Sequence, residues 1–272
     1  MLGTLFRHEW KATWKVMTVL NAAVLVMILF GFLIIKAGDF PNFFKSDRFD
    51  GGDGVLYGMT LAGYATIFFA GLITLFVGAF IYFCARFYRN LYTDQGYLMH
   101  TLPVSPHELI LSKMFVCIIW RIVGCIVLVI GGVGMASAFT GESFFEIIDT
   151  VLGYGDWFIY VIAHLFSFFI MIFYSTLMAY MSISVGQLAK KNKVLASIGA
   201  YIGFTVGTAV LSSSINMALF LTRSDTFFDR LDMSFENMQS MTTVTSALGE
   251  AALCALFYWI TYYIMDKKLN LD

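Results

Sequence analysis

Charge is what this sequence has least of. Of its 272 residues, 13% are Asp, Glu, Lys or Arg and 59% are hydrophobic. Soluble domains carry about a quarter charged residues and about 45–50% apolar ones. One soluble core cannot hide this excess, so a membrane protein is expected. The net charge of -1 gives no basic bias toward nucleic acid. Cysteine is scarce: Cys84, Cys117, Cys125 and Cys254 lie in or at the ends of apolar runs and form no CxxC pair. They read as small packing residues rather than disulfides or metal ligands. No G-x-x-x-x-G-K-[ST] phosphate loop occurs, so the chain lacks an ATP cradle of its own. No apolar run carries H-E-x-x-H or paired acids, which weighs against a membrane-embedded enzyme. No internal repeat is evident, which weighs against a secondary transporter. These two classes are the alternatives to the function reached below.

What the chain has is long apolar runs. A helix needs about 20 apolar residues to cross a bilayer. Six runs qualify, at Val16–Ile35, Leu56–Ala85, Met114–Phe139, Trp157–Leu188, Val194–Leu221 and Val244–Met265. They are continuous rather than alternating, which favours helices over a barrel. The first run is preceded by some fifteen residues without a small-x-small cleavage site, and is expected to be a retained helix rather than a signal peptide.

Lysine and arginine set the expected orientation. Of the 17, eleven fall on one side: Arg7, Lys11, Lys15, Arg86, Arg89, Lys113, Lys190, Lys191, Lys193, Lys267 and Lys268. Lys36, Lys45, Arg48, Arg223 and Arg230 fall on the other, and Arg121 lies inside a span. The richer side is expected to be cytoplasmic, with both termini inside. Residues 1–15 place Leu2, Leu5, Phe6 and Trp10 on one helical face, which predicts an amphipathic helix lying in the inner interface.

The chain has three prolines, and two of them fall in the stretch DQGYLMHTLPVSPHELILSK, Asp94 to Lys113. Ser105-Pro106-His107-Glu108 has the pattern of a capping box, with Pro106 at the first helical position. A helix is expected to start there and run into the third span. Pro103 disfavours helix at Leu102. Upstream, Thr93 or Asp94 can cap a short helix reaching about Thr101, with Tyr97, Leu98 and Thr101 near one face. Such an apolar and aromatic patch calls for a partner, with lipid headgroups as the other candidate.

The string Thr93-Asp94-Gln95-Gly96-Tyr97-Leu98, then Leu102-Pro103-Val104-Ser105, then Leu109 and Ser112-Lys113, resembles the cytoplasmic loop of ABC type-2 exporter permeases. The resemblance implies a single transmembrane permease domain over residues 1–272, in a bacterial cytoplasmic membrane. It implies that residues 93–112 form a coupling region whose short helix docks into a separate ATP-binding subunit, with Asp94, Gln95, Gly96, Tyr97, Leu98, Thr101, Leu102, Pro103 and Ser105 at the contact. The chain would then hold no cofactor, Mg-ATP would sit in the partner, and two permeases, identical or paired, would form the path. The expected fold is an all-α integral membrane protein with six transmembrane helices, an N-terminal amphipathic helix and a coupling helix between spans two and three. A short outer helix between spans five and six, at 222–243, completes it.

That last element rests on Phe227, Leu231, Phe235 and Met238 at helical spacing among acids too numerous for a span; a lid over the bundle is expected, with a gate or substrate-release role as the alternative. The loop Asp39–Gly54 holds several acids but does not match calcium-loop spacing. In span five, Gly199, Gly203 and Gly207 lie four apart, which allows close helix approach; packing within the chain is expected, with a permease–permease interface as the alternative. Arg121, His164 and Glu250 are ionisable residues within spans and candidates for the transport path. Arg121 and Glu250 fall near opposite leaflets, so no direct ion pair is expected between them.

Overall fold

The computed structural model describes residues 2–37, 52–93, 96, 104–153, 157–222 and 235–268. Among them every regular element is helical. In chain order these are α1 (Leu2–Ala37), α2 (Gly52–Ile73), a π-helical turn (Thr74–Gly78), α3 (Ala79–Tyr92), α4 (Pro106–Thr140), α5 (Phe144–Gly153), α6 (Trp157–Gly186), α7 (Lys193–Thr222) and α8 (Phe235–Lys267). Six stretches are long and apolar enough to cross a membrane: Leu2–Lys36, Gly58–Tyr92, Pro106–Thr140, Ala163–Gly186, Lys193–Ala218 and Thr243–Lys267. These correspond to the six runs read from the sequence. Two compact units are distinguished, one of Met1–Phe6, Cys84–Ile118 and Asp156–Asp272, the other of Arg7–Phe83 and Ile119–Gly155.

The second of these is built on α1. The expected interfacial helix at 1–15 is not a separate element: α1 runs unbroken over 36 residues. No proline or glycine interrupts the chain between residues 4 and 30, so nothing forces a break. Its buried stripe runs Glu9, Thr13, Met17, Asn21, Val24 and Ile28, steps of three and four that keep one face inward. Trp10, expected to dip into the interface, stacks on Trp120 at 4.9 Å. Along this stripe Asn21 faces Gly124, and Ile28 faces Gly131 so closely that a Cβ there would overlap it. Both pairs are one heptad apart, so α1 and α4 run parallel here and their backbones approach where α4 has no side chain. Against α2 the order reverses. A Cβ at Gly71 would meet Met27, one at Gly31 would meet Tyr64, and the Tyr64 hydroxyl donates to the Met27 carbonyl at 2.9 Å.

The π turn was not foreseen. It widens the helix by one residue per turn and leaves Leu75 buried in a core with Val24 and Ile28. α5 was not foreseen either. Its start is a full capping box: the Glu146 amide donates to Ser143 Oγ at 3.3 Å, and the Ser143 amide donates to Glu146 Oε2 at 2.8 Å. The Ser143 amide, then its hydroxyl, holds the Glu146 carboxyl below the ordinary glutamate value.

In the other unit α6 is the centre. From Thr176 to Ser184 it is buried on all sides, and both α7 and α8 pack on it. Phe257 of α8, 2% exposed, meets Tyr174 of α6 at 5.7 Å and Phe204 of α7 at 6.4 Å. The turn from α6 to α7 is closed by Asn192 in the left-handed region, φ 53°, a conformation asparagine tolerates. The Asn192 carbonyl accepts from the Ala196 amide at 3.0 Å. Gly186 lies against Ser197, whose backbone nitrogen is 2.5 Å from the place a Cβ would take.

The expected outer helix at 222–243 is changed in part. Residues 223–234 lie outside the described residues. Those from Phe235 onward belong to α8, one helix continuous with the sixth span rather than a separate piece. Thirty-three helical residues reach about 50 Å, longer than a bilayer core of about 30 Å.

Candidate functional site

The loop between the second and third spans is rooted in the best-buried part of its unit. On the way in, Phe87 of α3 is 1% exposed and stacks on Tyr180 of α6 at 3.8 Å and 7°. Tyr92, the last residue of α3, exchanges a hydrogen bond of 2.6 Å with Ser184, and the Ser184 hydroxyl reaches the Tyr180 carbonyl at 2.8 Å. Thr93 then turns its hydroxyl back to the Arg89 carbonyl, closing the helix end. The Gly96 amide donates to the Thr93 carbonyl at 2.6 Å. Gly96 is buried, and a Cβ on it would overlap the Leu91 carbonyl. Its glycine is therefore required by the chain folding back on the end of α3.

On the way out, the Ser105 hydroxyl accepts from the Glu108 amide at 3.4 Å and the Ser105 carbonyl from the same amide at 3.0 Å. This is the expected N-cap, and α4 begins at Pro106 as expected. Leu109, Ser112 and Lys113, which carry the family resemblance, all face inward and are buried. Cys117 Sγ lies 3.9 Å from Thr176 Oγ1, so α4 is held to α6. His107, in the first turn of α4, is exposed but fixed. Its Nδ1 is 2.7 Å from the Tyr258 hydroxyl, and its ring stacks on Tyr262 at 3.9 Å and 14°. Both tyrosines belong to α8. Nothing in the sequence pointed to this pairing, because the partners are separated by 151 residues.

Both flanks of the loop are thus joined to α6, and the outgoing flank also to α8. Interiors packed this closely pass on displacement rather than absorb it. α4 is one uninterrupted helix of 35 residues.

Of the expected contact residues, Gly96 and Ser105 have the structural roles just given. Asp94, Gln95, Tyr97, Leu98, Thr101, Leu102 and Pro103 lie outside the described residues. The path candidates are dispersed. Arg121, near the middle of α4, lies over the Phe80 ring at 5.9 Å. His164 is exposed on α6. Glu250 is half-buried on α8, with Oε2 buried and without a hydrogen-bond donor among the described residues. Among the described residues, Gly199, Gly203 and Gly207 do not pack against another helix: all three are exposed, and a Cβ on any of them would meet nothing within 4 Å. Glycines that do admit a neighbouring helix include Gly31, Gly71, Gly124, Gly131 and Gly186. Among the described residues no group of three His, Cys, Asp or Glu is arranged to hold a metal ion.

Compared with family models, curated proteins and solved structures, the chain matches none. What the fold defines is the class: an all-helical, multi-pass membrane protein with six helices able to cross the bilayer.

Proposed function

We propose that this chain is the permease subunit of an ABC exporter, driven by ATP binding and hydrolysis in a separate subunit. The observation that carries the proposal is the stretch Thr93 to Lys113. Its Asp-Gln-Gly-Tyr-Leu and Leu-Pro-Val-Ser segments resemble the coupling loop of type-2 exporter permeases. Its two flanks are anchored into α6 and α8 through Phe87, Tyr92, Cys117 and His107. A docking patch serves coupling only if its roots are held, and these contacts support that.

In this reading the loop and both termini face the cytoplasm, on the side that carries eleven of the Lys and Arg residues. The ATP-binding subunit grips Tyr97, Leu98 and Thr101, and closure of that subunit tilts α3 and α4. A second permease completes the path. α7 is the least covered of the six spans, with 6% of its apolar window buried, and it carries the exposed Gly199, Gly203 and Gly207, which suit a close helix partner. The test is to purify the chain from its own membranes and identify what accompanies it. Recovery of a protein with a phosphate-loop ATPase sequence supports the proposal. Recovery of the chain with no ATPase, in a detergent that preserves other membrane complexes, overturns it.

A further inference from the structure

The last turns of α8 carry a ladder of rings ending in a cation. Trp259, Tyr263 and Lys267 follow one another by four residues, so they share one side of the helix. Trp259 is 60% exposed and Tyr263 39%. Their rings stack at 5.7 Å and 24°. The Lys267 ammonium sits over the Tyr263 ring, 5.8 Å from its centre, within cation–π reach. Lys267 is also the last residue of the sixth apolar span. On the span side of Trp259 the same face continues through exposed Leu256. Tyr258 and Tyr262 point elsewhere, holding His107. The exposed Asp266 stands about 100° round the helix from Lys267, on the flank toward Tyr262.

This face offers donors. The Lys267 ammonium and the Trp259 indole N–H can only donate, and the Tyr263 hydroxyl has a hydrogen to give. Among the described residues none of these three groups meets a protein acceptor. The eight steps from Trp259 to Lys267 cover about 12 Å along the axis, against an interfacial layer of about 5–7 Å on each side of a bilayer core. The ladder therefore reaches from the headgroups, through the ester level, to the top of the acyl chains. A cation near a helix C-terminus is favoured in any helix; the ring under Lys267 sets this one on the exposed aromatic face. We propose that the ladder binds an anionic phospholipid of the bilayer. Lys267 takes the phosphate, Tyr263 and Trp259 donate to ester oxygens, and an acyl chain runs past Leu256. A zwitterionic headgroup brings an ammonium of its own, which Lys267 repels, so charge complementarity favours the anionic lipid. The inference does not rest on the exporter reading, because it requires only the chain and lipid.

The experiment uses the full chain in phosphatidylcholine nanodiscs. Phosphatidylglycerol or phosphatidylcholine with brominated acyl chains is included at increasing mole fraction, and quenching of tryptophan fluorescence by the bromines is measured. The chain has five tryptophans, so the Trp259 signal is taken as the difference between wild type and Trp259→Phe. Brominated phosphatidylglycerol is expected to half-quench that signal at about fivefold lower mole fraction than brominated phosphatidylcholine, the advantage one lysine gains beside a charged lipid. Lys267→Gln, read against its own Trp259→Phe double variant, should bring the two lipids within about twofold of each other. Lys191→Gln removes the same charge from the turn between α6 and α7, and should leave the preference as in wild type. Equal quenching by the two lipids, a preference unchanged in Lys267→Gln, or an equal loss in Lys191→Gln each overturns the proposal. So does a Trp259 signal that neither lipid quenches, the result for a face covered by protein.

Discussion

Gly186→Ala is the sharpest single perturbation of the fold. A Cβ at Gly186 would stand 2.5 Å from the Ser197 backbone nitrogen and 2.6 Å from its Cα, where ordinary contact begins near 3.4 Å. The Ser197 hydroxyl oxygen stands nearest and could rotate away, but the backbone nitrogen and Cα behind it cannot, so the start of α7 must retreat by about 1 Å. Overpacking of this kind costs about 1–3 kcal/mol. The retreat also breaks the hydrogen bond from Ser197 Oγ to the Ile183 carbonyl, 3.4 Å, for about 0.5–1.5 kcal/mol more. Gly203→Ala, on the facing helix α7, is the control. Nothing stands within 4 Å of its Cβ, and alanine gains about 0.5–1 kcal/mol over glycine in a helix interior. Helicity followed through dodecyl sulfate unfolding should place Gly186→Ala about 1.5–4.5 kcal/mol below wild type and Gly203→Ala at or above it. Equal loss in the two variants, or no loss in Gly186→Ala, would refute the packing described for α6 and α7.

Tyr92→Phe should lower stability by about 0.5–1.5 kcal/mol by the same measurement. Adding Ser184→Ala should then cost less than Ser184→Ala does alone, because the bond between them is already gone. His107→Ala and Tyr258→Phe should couple in a double-mutant cycle by about 0.5–1.5 kcal/mol; additive costs would show that the pair is not formed. The α5 cap should be pH-dependent. The folded Glu146 carboxyl sits below its ordinary value, because it accepts from the Ser143 amide and hydroxyl. Its contribution is therefore present above the ordinary glutamate range and is lost as pH falls through the lowered value. Amide exchange at residues 144–147, corrected for intrinsic rate, should speed up in acid for wild type and be pH-independent in Glu146→Gln.

The six spans were legible because bilayer thickness imposes a length of apolar sequence whatever the helices pack against. The α4 start was legible because Ser105, Pro106 and Glu108 act locally. By the same rule α5 could have been found: Ser143-Phe-Phe-Glu146 before an apolar run is the same signal. The buried stripe of α1 was not legible. Glu9, Thr13 and Asn21 face inward, while patterning that sends polar residues outward puts Leu2, Leu5, Phe6 and Trp10 on the working face. Glycine spacing misled for a related reason. Gly199, Gly203 and Gly207 form a regular stripe that no helix among the described residues covers. Gly131 and Gly186 take their role from Ile28 and Ser197, which sequence spacing does not reveal. The anchor of His107 on Tyr258 and Tyr262 belongs to the same class, a contact made by tertiary packing alone.

The coupling claim is tested most directly at Leu98. The chain is co-expressed with the ATP-binding subunit recovered beside it, as wild type and as Leu98→Glu, and the amount of that subunit retained on the purified chain is measured. A carboxylate in an apolar docking patch should expel the subunit while leaving the permease folded by circular dichroism. Retention at the wild-type level, with transport-linked ATP hydrolysis unchanged, would contradict it.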